Sequence, residues 1–162
     1  MIALLFGALL SIAATSGSWA ADGAVQLAVA FCKTRTAGDA EAVKPLLTRS
    51  LLAVIAEAEA RNKIIAEATP DEKPPFGDGI PYQSFPDLPD NCQPGVPTER
   101  AGRTEIPVSY SFRQSPDASW TDTLILVSSG GEVRIDDVRF MGAPDGSAPH
   151  SLREILHGAF DQ

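Results

Sequence analysis

The sequence is short of the residues from which catalytic and metal sites are most often built: two histidines and two cysteines in 162 residues. It is also short of base, with 13 Lys and Arg against 21 Asp and Glu, a net charge of -8 and a sequence pI near 4.6. Affinity for phosphate backbones comes mostly from clustered cations that release counterions, so nucleic acid is excluded as a partner. Docking on anionic lipid is disfavoured for the same reason. His150 and His157 sit close together near the C-terminus, which leaves few ways to assemble a Ser-His-Asp or His-metal mechanism. Gly-rich phosphate loops, paired-His metal motifs, nucleophile elbows and internal repeats are all absent. No catalytic residue, metal or cofactor is expected. No apolar run reaches the roughly 20 residues needed to span a bilayer.

What the chain does have is 44% hydrophobic residues, with 13 Gly and 13 Pro, which describes a folded domain and neither a disordered acidic tail nor a rod. Residues 2–14 form an almost unbroken apolar run ending in Thr15, Ser16, Gly17 and the small-x-small tripeptide Ser18-Trp19-Ala20. This reads as an export signal over residues 1–20, cleaved after Ala20, although no Lys or Arg precedes the run. No cysteine lies at the cleavage site, so no membrane anchor is expected after processing. Residues 21–162 then form a single α+β domain, periplasmic or secreted, in a bacterium of Gram-negative type. Export places Cys32 and Cys92 in an oxidising compartment, where two cysteines permit one intramolecular disulfide.

Along the mature chain, five alanines between Ala21 and Ala37 favour a first helix over residues 22–36, capped by Asp22 and stopped by Gly38. A short helix is expected over residues 40–47, opened by Asp39, and a longer one over 49–68 with Leu51, Val54 or Ile55, Ala58 and Ile65 as its apolar stripe. Eight of the prolines fall between Pro70 and Pro97, which excludes a helix or central strand and predicts a long loop anchored by Phe76, Tyr82, Phe85 and Cys92. Ile106, Val108, Tyr110 and Phe112 alternate as a strand with one buried face, and Pro107 places one side of it at an edge or bulge. Residues 120–127 and 132–140 read as a hairpin around Gly130-Gly131. In its second strand Val133 and Ile135 share one phase while Val138 and Phe140 share the other, so a β-bulge is expected at Asp136-Asp137. Ser151 to Glu154 is a capping-box sequence opening a short C-terminal helix.

The candidate binding residues are Tyr82, Tyr110, Asp136 and Asp137. A bulge can turn a carboxylate into an apolar cavity and raise its pKa toward general-acid use; the plainer alternative is that one aspartate faces solvent and the other bonds the bulge or a neighbouring strand. Asp78, Asp87 and Asp90 suggest Ca²⁺ at first sight, but their spacing fits no EF-hand loop, and turn chemistry accounts for them.

Three N-terminal helices, the loop sequence Gly77-Asp78-Gly79-Ile80-Pro81-Tyr82, the final strand Glu132-Val133-Arg134-Ile135-Asp136-Asp137-Val138 and the Ser-Leu-Arg helix start resemble small exported bacterial proteins classed as a domain of unknown function. That family is similar to the cone-shaped, nuclear-transport-factor-like or cystatin-like architecture. The resemblance implies N-terminal helices packed on a curved antiparallel sheet; it lends no catalytic residues, because the fold hosts enzymes and binding modules alike. The leading expectation is a noncatalytic module that binds a small ligand or protein partner through the concave face of the sheet and the Pro-rich loop. The alternatives are a small isomerase or dehydratase using Asp136 or Asp137 with Tyr110 or Tyr82, and an inhibitor or immunity protein for a basic exported enzyme.

Overall fold

The structure, a computed structural model, describes residues 17–142 and 150–161, with side chains of the first helix given from residue 22. Helix α1 spans Gly17–Ala37, a 3-10 helix spans Glu41–Leu46, and helix α2 spans Arg49–Ala68. The expected export signal lies outside the described residues except for 17–20, which form the first turn of α1. The helix therefore starts ahead of its expected cap: nothing between Gly17 and Asp22 breaks a helix, and Asp22 is an exposed side chain within it. Its end is as expected. The Asp39 N–H donates to the Thr34 carbonyl and the Gly38 N–H to the Arg35 carbonyl, the paired bonds of a Schellman stop, with Gly38 at φ +70°. Asp39 then accepts from the Ala42 N–H at 2.9 Å, opening the 3-10 helix, and Thr48 caps α2 through the Leu51 N–H. Among the described residues no helix is long and apolar enough to cross a membrane.

Five antiparallel strands follow: β1 (Asn91–Pro94), β2 (Thr98–Arg100), β3 (Arg103–Ser111), β4 (Trp120–Ser129) and β5 (Glu132–Arg139), with helix α3 (Leu152–Gly158) last. They form a curved, open sheet in the order β1-β3-β4-β5, with β2 paired to the other end of β3. The chain is thus α+β. Strand β1 corrects the expectation of a loop running to Pro97. Four residues on a sheet edge tolerate a proline at their end, so Pro94 does not exclude them. Pro107 faces the break between β1 and β2, where its carbonyl accepts from the Gly95 N–H at 2.7 Å. A Cβ on Gly95 would lie 2.8 Å from the Pro107 ring, so only glycine fits this crossing.

The expected bulge is present. Ile125 pairs with Asp137 and Leu126 with Ile135, leaving Asp136 as the extra residue in β5. The slip brings Ile135 and Val138 onto the same face as Ile106, Val108, Tyr110, Leu124 and Leu126. That face is filled. All of these side chains are buried with Phe31 of α1 and Leu51 and Ile55 of α2, so among the described residues this face of the sheet is packed core.

The Cys32–Cys92 disulfide joins α1 to β1 across 60 residues, with Cα atoms 5.2 Å apart. Closing a loop of this length stabilises by roughly 4 kcal/mol in the chain-entropy model. Replacing both cysteines by serine is expected to lower the unfolding free energy by about 2–4 kcal/mol in urea titrations; an unchanged midpoint would mean the link adds nothing to the fold.

Candidate functional site

Asp136 and Asp137 are both engaged by the fold. The bulge turns Asp136 toward the start of α2, where its Oδ1 accepts from the Thr48 hydroxyl and from Arg153 Nη2, each at 2.9 Å. Arg153 Nε also donates to the Asp136 carbonyl, and its Nη2 reaches the Ser50 hydroxyl at 2.7 Å. One carboxylate therefore ties β5, α2 and α3 together. Asp137 falls on the other face of the sheet, and its Oδ1 accepts from the Val138 and Arg153 backbone N–H groups. Neither aspartate bonds a tyrosine, since the hydroxyls of Tyr82 and Tyr110 have no hydrogen-bond partner among the described residues. Tyr110 is a core residue stacked on Trp120 with ring centroids 4.7 Å apart. Tyr82 is also buried, but it stands in the wall of a cleft, and burial pushes its phenol up to about 12.

That cleft, about 570 Å³, lies between the end of α1 and the Pro-rich loop, with Ile155 of α3 on its edge. The loop that walls it has no ladder of its own; side chains fix it. Asn62 of α2 accepts from the Phe76 N–H at 2.8 Å, and the Phe76 ring meets Phe160 edge-on. Gln83, only 3% exposed, donates its Nε2 hydrogens to the carbonyls of Phe85 and Asp87 at 2.7 and 2.8 Å. Its Oε1 is left to accept from Arg35 Nε at 2.8 Å. Burial pulls the Arg35 guanidinium below its ordinary value. Phe85, 42% exposed, anchors the loop less deeply than expected, resting edge-on against Trp120.

The innermost fastening is Asp122, a carboxylate with 0% exposure on the core face of β4. Its oxygens accept from the Ser84 N–H at 2.9 Å, the Ser84 hydroxyl, the Met141 N–H at 3.0 Å and the Trp120 indole at 3.3 Å. Burial holds the carboxyl above the usual aspartate range, outweighing these four donors.

Sequence reasoning missed Asp122, Gln83, Ser84 and Arg35. Two of them left a signal. Asp122 occupies the apolar phase of β4, shared with Trp120, Leu124 and Leu126, where a charge demands buried partners. Arg35 continues the α1 stripe of Ala24, Ala28, Phe31 and Cys32. Gln83 and Ser84 follow no periodicity and were not legible. The aspartates of the loop act as turn and pairing groups: Asp78 binds Lys73, and Asp90 binds Arg113 through both side chain and backbone. Among the described residues no three His, Cys, Asp or Glu side chains come together as a metal site. His150 and His157 are both exposed.

Because the folded-state pKa of Asp122 is raised, its folded form takes up a proton before its unfolded form does. Wild-type stability relative to Asp122→Asn is therefore expected to fall as pH rises from about 4, the ordinary aspartate value, to the folded midpoint, and then to level off. Urea titrations across that range check this, alongside carbon NMR of the carboxyl. A midpoint at or below the ordinary value would contradict it.

No protein-family model matches this chain, and neither a curated protein nor a solved structure does; its function rests on the chemistry of its own residues.

Proposed function

We propose that the protein is an exported binding module, periplasmic or secreted, that takes a small ligand in the cleft between the end of α1 and the Pro-rich loop. The observation that carries this reading is the rigid construction of the cleft. A segment with many prolines and no regular structure is fixed by Asn62, Gln83, Asp122 and the Cys32–Cys92 bond, and it encloses a volume in the usual range for small-molecule sites, about 300–1,000 Å³. Long loops held in this way are commonly functional. The enzymatic alternative loses its support: Asp136 and Asp137 are engaged in joining elements, and neither meets Tyr82 or Tyr110.

Export is supported by the leader-like sequence over residues 1–20 and by the disulfide, which suits an oxidising compartment. Helices laid on a curved antiparallel sheet support kinship with the cone-shaped, nuclear-transport-factor-like proteins. In this chain the core-facing side of the sheet is packed with side chains, and the proposed ligand site is the cleft beside the end of α1.

The reading is tested by proton–nitrogen correlation NMR of the oxidised protein against a general fragment library. Binding fragments are expected to shift the amides of Tyr82 to Phe85 and of Arg35 to Ala40 ahead of those in β3 and β4. Shifts confined to the outer face of the sheet, or no shifts from any fragment, would refute it.

A further inference from the structure

Resting on the reading of the cleft as a binding site, the chemistry of its wall narrows what it takes. Arg35 and Asp78 are the charged side chains on that wall, and Asp78 is already neutralised by Lys73. Arg35 has no carboxylate partner among the described residues, whereas Arg113, Arg134, Arg139 and Arg153 each pair with an acidic side chain. In a chain with a net charge of -8, a half-buried guanidinium without an anion stands out. The chain holds 21 Asp and Glu, yet none of those described bonds Arg35.

The orientation of Arg35 is set by a relay. Gln83 is held by two backbone carbonyls through its amide hydrogens, so its oxygen can point only one way, and that oxygen receives Arg35 Nε. The aromatic ring of Tyr82 lies beneath the guanidinium, 5.9 Å from centroid to Cζ. With Nε engaged, the remaining N–H groups on Nη1 and Nη2 make no bond to any described residue. These form the planar end of the guanidinium, whose spacing matches the two oxygens of a carboxylate. Apolar side chains, Phe76, Ile80, Leu88 and Ile155 among them, share the cleft lining with it.

We propose that the cleft binds a small organic acid, its carboxylate received end-on by the Nη atoms of Arg35 and its apolar body lying against Ile80, Leu88 and Ile155. The oriented guanidinium supplies selectivity for the anion, and the apolar walls supply contact area.

Matched pairs of probes test this on the oxidised wild-type protein: hexanoate against hexanamide, and phenylacetate against phenylacetamide, followed by proton–nitrogen NMR. The acids are expected to shift the Arg35 Nε–H signal and the amides of Tyr82 to Phe85 with saturation, and to bind about tenfold or more tightly than their neutral isosteres. Arg35→Gln is expected to erase that preference, and Arg35→Lys, which keeps the charge without the fork, to retain only part of it. Should either variant fail to fold, the acid–amide comparison on the wild-type protein decides alone. Equal binding of acid and amide in the cleft would overturn the anion assignment and leave the cleft as an apolar site. No cleft response to any of the four probes, in a protein whose cleft does bind library fragments, would overturn the organic-acid assignment alone; a cleft silent to probes and fragments alike would overturn both.

Discussion

The buried carboxylate of Asp122 is the constraint around which the rest of the molecule is arranged. A charge with no exposure on the core face of a strand is costly, and it is tolerated only because four donors converge on it. Those donors come from separate places: Ser84 in the Pro-rich loop, Met141 where the chain leaves β5, and Trp120 at the start of β4. Satisfying one carboxylate therefore fixes the loop against the sheet. Gln83, the residue beside Ser84, is thereby placed to meet Arg35, and the wall of the cleft follows from that meeting.

A second carboxylate does comparable work on the opposite side. Asp136, displaced by the bulge, gathers Thr48 at the start of α2 and Arg153 in the first turn of α3. These contacts belong to the edge of the sheet, where Leu47 bridges Ile135 and Ser151 bridges Arg139, so the free side of β5 is covered. The disulfide thus fastens the β1 edge and Asp136 the β5 edge, while Asp122 holds the loop to β4 between them. The cleft is what remains where the Pro-rich loop bends away from α1.

Much of this was legible in the sequence and some was not, for physical reasons. Local patterns carried the three helices, the Gly130-Gly131 hairpin, the capping box at Ser151 and the phase slip at Asp136, because each is set by residues a few positions apart. The disulfide followed from a count of two. Strand β1 was hidden by prolines that forbid a central strand but not a short edge. The role of Asp136 was hidden because its partners lie 88 and 17 residues away. Asp122 stood in plain view in the apolar phase of β4, but only the tertiary structure supplies the donors that explain it. Tyr82 stands in the cleft wall and Tyr110 in the core: both are aromatic residues in apolar surroundings, and sequence does not distinguish a cleft wall from a core.

The central claim is that the Pro-rich loop is a fixed wall held through Asp122. Amide hydrogen exchange on the native protein tests it most directly. The account predicts strong protection at Ser84, Met141 and Phe76, with Asp122→Asn releasing Ser84 and Met141 together while Phe76, held by Asn62, and the β4–β5 amides stay protected. Exchange of Ser84 at the rate of an unstructured chain in the wild-type protein would contradict it.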